Sequence, residues 1–193
     1  YGTKDLGSND YIDLAAKFGN VENSFTARNE IGKELKGEYS ANAYSLSAQY
    51  GKRFEDSHGG YFEPQAQLTW SHVDGDNYDA RCGGQIMNIN QTAFDSLVGR
   101  VGMQAGQITD KSQAFVRLSL AHEFAGDIDG VYMAKDGGLK TTQYNAGDTW
   151  SELNIGGSYK LSKCANFYAD ITKTLTGDYK QDWKFNAGMS FSF

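Results

Sequence analysis

Nine charged residues fall where an alternating strand would carry its polar side chains: Asp13, Lys17, Glu63, Arg100, Arg117, Glu152, Lys160, Asp170 and Lys184. Such groups do acid–base or nucleophilic chemistry when they converge on one reacting atom. Here they are spread along the chain, and the motifs that fix a reaction are missing. There is no His-Glu-x-x-His, no Gly-x-Ser-x-Gly and no Gly-Lys-Ser/Thr phosphate loop. His58 sits in a turn signal, and His72 and His122 sit on apolar faces. No catalytic residue, metal or cofactor is expected. What remains is non-covalent work. The nine residues are read as solvated groups that keep one face wet. On neighbouring strands, Glu152 or Asp170 would also pair with the basic groups.

The elements that position them show a two-residue period. In YFEPQAQLTWSHV, Phe62, Pro64, Ala66, Leu68 and Trp70 oppose Glu63, Gln65, Gln67, Thr69 and Ser71. The same alternation runs through YIDLAAKFG, AYSLSAQYGKRF, LVGRVGMQAG, QAFVRLSLAHEF, WSELNIGGSYKL, ANFYADITK and the terminal WKFNAGMSFSF. This predicts about eight strands, each near the ~10 residues that a tilted strand needs to cross a bilayer. Short connections (KRFEDSHGG, ITDKSQ, KLSKCAN) alternate with longer polar ones over residues 23–42, 74–92 and 125–149. Short turns on one side and long loops on the other are the pattern of an outer-membrane barrel.

Bulk properties agree. The chain has 193 residues, a formal net charge of -6, 23 Gly and 1 Pro. An acidic chain without a basic patch is not a nucleic-acid binder. Mean hydropathy is -0.57, and no window reaches the ~18 apolar residues of a transmembrane helix. A barrel escapes that test because its two faces cancel in any average. A soluble sandwich also alternates. Mid-strand charges, aromatics near strand ends (Phe62, Trp70, Tyr159, Trp183, Phe193) and long strands weigh against it. The predicted fold is all-β, an antiparallel transmembrane β-barrel in one domain over residues 1–193. Recurrent strand glycines (Gly99, Gly102, Gly106, Gly156, Gly188) are expected to relieve curvature and make room for large cross-strand neighbours such as Tyr168.

YIDLAAKFGNVENSF, YFEPQAQLTWSHVDG, GRVGMQAG and the closing run to GMSFSF resemble the C-terminal translocator domain of autotransporters, the type V secretion proteins of diderm bacteria. The resemblance covers essentially the whole chain. It implies a twelve-stranded pore with a lumen helix joined to an N-terminal passenger, of which this chain would hold the last eight or so strands. It implies a bacterial outer-membrane location, a periplasmic C-terminus and three partners: outer-membrane lipid, the barrel-assembly machinery and the chain's own passenger. Asn186, Gly188, Phe191 and Phe193 fit the terminal pattern that such barrels present to that machinery. No nucleic acid, cofactor or enzymatic activity is implied. With that topology Cys82 and Cys164 lie on opposite membrane sides, beyond the ~7 Å Cα reach of a disulfide. The alternative reading is a complete small barrel whose loops act as a surface adhesin, since eight strands can also close.

Overall fold

The computed structural model describes residues 1–28, 32, 34–82, 85–134, 139–145, 147–178 and 182–191. Among them it contains strands and turns but no helix. In chain order the strands begin with β1 (Gly2–Gly7), β2 (Asp10–Arg28), β3 (Glu34–Lys52), β4 (Phe54–Glu55), β5 (Gly60–Val73), β6 (Asp76–Cys82) and β7 (Gln85–Gln91). They continue with β8 (Phe94–Ile108), β9 (Ser112–Glu123), β10 (Asp127–Ala134), β11 (Leu139–Asn145), β12 (Thr149–Lys160), β13 (Ala165–Thr174) and β14 (Lys184–Phe191).

All pair antiparallel in one sheet. The wall runs β1-β2-β3-β5-β8-β9-β12-β13-β14, and β1 and β14 form its two edges. The wall curls into a half-barrel. The eight predicted segments are the last eight wall strands. The ninth, β1, carries the sequence GTKDLG, which has one large apolar residue and no alternation to read.

The long connections are not irregular loops. Two strands exceed the ~9–11 residues that a tilted strand needs to cross a bilayer: β2 and β3 have 19 residues each, about 60 Å at ~3.3 Å per residue. Only the lower part of β3 pairs β5, from Ala43↔Val73 to Gly51↔Gln65. Its upper part pairs β6 through Leu35↔Cys82 and Lys36↔Arg81. The hairpins β6–β7 and β10–β11 join through the β7–β10 ladder, so the region of residues 74–92 and much of 125–149 is sheet. Asp74–Gly75 and Thr92–Ala93 mark where β5 and β8 stop and this upper sheet starts.

Alternation sorts the side chains onto two faces. Leu14, Phe18, Leu46, Leu68, Val101, Leu118, Ile155 and Phe185 stand on the outer face, each between 47% and 72% exposed. A contiguous exposed apolar surface of this extent needs a non-aqueous neighbour. The opposite face is concave: Gln49 on β3 and Asn186 on β14, at opposite parts of the wall, line one groove. Bulky residues on that face stand opposite glycines in the register. The pairs are Tyr11↔Gly51, Tyr61↔Gly106, Phe115↔Gly156 and Tyr168↔Gly188. A Cβ on Gly188 would overlap the Tyr168 ring and hydroxyl, and one on Gly156 would come within 2.8 Å of the Phe115 ring.

Candidate functional site on the concave face

The concave face carries the charged residues, and its glutamates organise it. Glu63 is 1% exposed. Its Oε1 accepts the Tyr11 hydroxyl at 2.7 Å and the Gln65 amide, and its Oε2 accepts Arg53 Nε at 2.5 Å. Arg53 reaches this carboxylate from a break in the ladder. β3 pairs β5 as far as Gly51↔Gln65, pairing resumes at β4 with Phe54↔Phe62, and Pro64 lies between. A proline donates no ladder hydrogen bond, so it fits that gap. The Arg53 guanidinium lies 4.6 Å from the Tyr61 ring centroid. The Tyr61 hydroxyl in turn accepts Gln104 Nε2 at 2.7 Å and Gln113 Nε2 at 2.8 Å. Gln104 Oε1 accepts both Nε and Nη2 of Arg117, at 2.9 and 2.6 Å. One polar chain therefore runs from β2 through Arg53, between β3 and β4, to β5, β8 and β9.

A second cluster lies further along the wall. Arg100 gives Nη1 to Gln67 Oε1 at 2.8 Å and Nη2 to Glu152 Oε1 at 3.2 Å. Glu152 also accepts the Trp150 indole at 2.7 Å. This pair joins β8 to β12 across β9, so it spans two ladders. Asp170 has no cationic partner among the described residues. It accepts Asn154 at 2.9 Å and Asn186 at 3.1 Å. At the hairpin end Glu123, 8% exposed, accepts Ser96 Oγ at 2.5 Å and the backbone N–H groups of Leu97 and Ala125 at 2.7 and 3.1 Å. That carboxylate pins the point where β9 gives way to β10. At the hairpin end of β2 and β3, hydrogen bonds from Lys36 and Arg28 hold the Glu34 carboxyl below its ordinary value.

The nine sequence-derived residues are thus partly gathered. Arg100, Arg117, Glu152, Asp170 and Lys184 line one groove. Asp13, Glu63 and Arg117 line a second, toward the short turns. Lys17 stays exposed on β2, and Lys160 gives its ammonium to the Asp110 carbonyl at 3.2 Å. Asp13 keeps a buried Oδ1 without a hydrogen-bond partner among the described residues. Sequence reasoning missed Tyr11, Arg53, Gln104, Glu123 and Trp150. The signal that could have found Arg53 is Pro64, which donates no ladder hydrogen bond and lies where the β3–β5 pairing breaks.

In the terminal strand, Asn186 holds Asp170, Gly188 makes room for Tyr168, and Phe191 is 61% exposed on the outer face. Phe193 lies outside the described residues. Cys164 is a free, exposed thiol in the β12–β13 turn, and the side chain of Cys82 lies outside the described residues. His72 meets Asp95 at 2.9 Å and Asp74 at 3.3 Å, while His122 meets Thr149 at 2.7 Å. Among the described residues no three His, Cys, Asp or Glu side chains are grouped to hold a metal ion.

Comparison with known proteins fits this architecture. Residues 1–172 match the family model described as the autotransporter beta-domain. The chain is 26% identical over 198 residues to the pertactin autotransporter of Bordetella parapertussis, covering 100% of this chain and 21% of that protein. It is 32% identical over 192 residues to the probable autotransporter YcgV of Escherichia coli K12, covering 95% of this chain and 19% of that protein. The chain therefore spans about a fifth of the length of these relatives. In fold it is similar to the crystal structure of the beta domain of the Bordetella autotransporter Brka. The TM-score is 0.74 at 23% identity, over 97% of this chain and 68% of that one.

Proposed function

We propose that this chain, which belongs to the autotransporter β-domain family, forms a large part of an outer-membrane translocator wall that anchors and exports a passenger polypeptide. The observation that carries this reading is the two-faced wall. Its outer face is apolar and exposed over many strands, and its inner face holds a wet, internally hydrogen-bonded polar surface. Lipid is the neighbour that the first face requires, and a hydrated chain is the cargo that the second tolerates. Mixed charge on the inner face favours passage over tight retention.

In this reading the short turns and the C-terminus face the periplasm, and β6–β7 and β10–β11 stand outside the cell. The two open edges, β1 and β14, need partners. β14 is the strand presented to the barrel-assembly machinery through main-chain pairing, with Asn186, Gly188, Phe191 and Phe193 as its recognition pattern. The translocator performs no bond chemistry. Export draws on barrel insertion and on folding of the passenger outside.

The test is to express the full reading frame in a diderm bacterium and add protease to intact cells. Loss of the sequence upstream of this chain, with the chain itself protected, is the expected result. Deletion of β14 should abolish that surface exposure. Upstream sequence that stays protected in intact cells would overturn the reading.

A further inference from the structure

We propose that Arg117 is an anion-recognition point for an acidic side chain on the polypeptide that occupies the concave face. This rests on the translocation reading and names a chemical preference within it. The basis is a mismatch in charge among the arginines of the wall. Arg53 pairs with Glu63, at 2.5 Å, and Arg100 with Glu152, at 3.2 Å. Arg117 has no carboxylate partner among the described residues. Its bonds go to a neutral amide oxygen, Gln104 Oε1, and its guanidinium lies 5.5 Å from the Phe115 ring centroid.

A guanidinium has five N–H donors in a fixed planar fork. Two are fixed on Gln104, which leaves three without a protein acceptor among the described residues. The fork is also held in place. Gln104 is 4% exposed and gives its own amide to Tyr61, so it cannot swing away to follow Arg117. A cation so oriented, and lining both grooves, is prepared for a planar acceptor. A carboxylate matches that geometry bidentately. Four carboxylates on the same face are engaged elsewhere: Glu63 by Arg53 and Tyr11, Glu152 by Arg100 and Trp150, Asp170 by Asn154 and Asn186, and Glu123 by Ser96 and two backbone amides. Asp13 keeps an unpartnered oxygen and lines the second groove with Arg117. An occupant lying along this groove therefore meets a cation at β9 and an acceptor at β2.

The experiment uses the full reading frame in cells, with Cys82 and Cys164 replaced by serine. Arg117→Cys is paired in turn with single cysteines along the segment upstream of this chain, and disulfides are scored on non-reducing gels. The expected maximum lies where the native residue is Asp or Glu. Arg117→Glu should then slow surface exposure of the upstream sequence by about tenfold, the factor that corresponds to ~1.4 kcal/mol. Changing the mapped acid to Lys in the same chain should restore it, whereas Arg117→Gln should gain nothing from that second change. A purely structural role for Arg117, holding Gln104 in place, would show no such rescue. A maximum at neutral or basic positions, or absence of rescue, overturns the proposal. Surface exposure that persists in these variants leaves the translocation reading standing, and its loss in the protease test would remove that reading separately.

Discussion

Glu63 gives the sharpest energetic prediction. It is 1% exposed and accepts three side-chain hydrogen bonds, one of them from a guanidinium. Glu63→Leu removes the charge and leaves the Tyr11 hydroxyl and the Arg53 fork without their acceptor. Breaking a fully buried pair costs about 3–5 kcal/mol. The Arg53 side chain is 30% exposed and keeps Glu55 at 3.9 Å, so water and that carboxylate recover part of the loss. The expected cost is therefore about 2–3 kcal/mol, the range of one or two hydrogen bonds to a charged group. Arg53→Met alone strands Glu63 more completely and should cost at least as much. The double variant leaves no orphaned charge and should fall within about 1 kcal/mol of the native protein. The assay is urea unfolding of the complete β-domain in lipid vesicles, with the four proteins compared at one pH. If Glu63→Leu costs less than about 0.5 kcal/mol, or if the two single losses simply add, the network is not the structural knot described above.

The close contact of Tyr168 with Gly188 predicts that Gly188→Val destabilises the β13–β14 pairing by about 1–3 kcal/mol. Tyr168→Ala in the same chain should recover most of that loss in the same unfolding assay. Leu118, near the middle of β9 on the outer face, should lose about 2–4 kcal/mol on change to Lys. Lys17→Gln, on the wet face, should change the midpoint little. The proposed orientation places Cys164 in the periplasm. With Cys82 replaced by serine, a membrane-impermeant maleimide should label Cys164 only after the outer membrane is permeabilised, and labelling in intact cells would reverse the orientation.

The wall was legible because each strand separates two solvents. When one face needs lipid and the other water, the period of two survives in every long strand, as in Phe62 to Ser71. The upper sheet was not legible for the complementary reason. In DNYDARC and QIMNINQ the alternation lasts about three residues per face, and polar side chains flank it. These segments read as loops although their backbones pair fully. β1 failed similarly, with six exposed residues.

The site was legible by residue type but not by partnership. Alternation placed Glu63, Arg100, Arg117 and Glu152 on one face. It did not show that Arg100 reaches Glu152 across an intervening strand. It also hid Arg53, which lies in a segment that reads as a turn and becomes visible only through the ladder break beside Pro64. Aromatic partners were hidden as well. Tyr11, Tyr61 and Trp150 lie on the wet face, where residue type alone predicts the apolar one, because glycines opposite or hydroxyl and indole partners accommodate them.

The central claim is that one wall separates lipid from a wet interior with alternate residues. The most direct test scans β9 with single spin-labelled cysteines from Phe115 to Leu120, in the complete protein reconstituted in lipid and with Cys82 and Cys164 replaced by serine. Collision rates with oxygen and with a water-soluble nickel chelate should alternate with a period of two. Positions 116, 118 and 120 should favour oxygen, and 115, 117 and 119 the chelate. Uniform access to the chelate, or no alternation along the strand, would contradict the account.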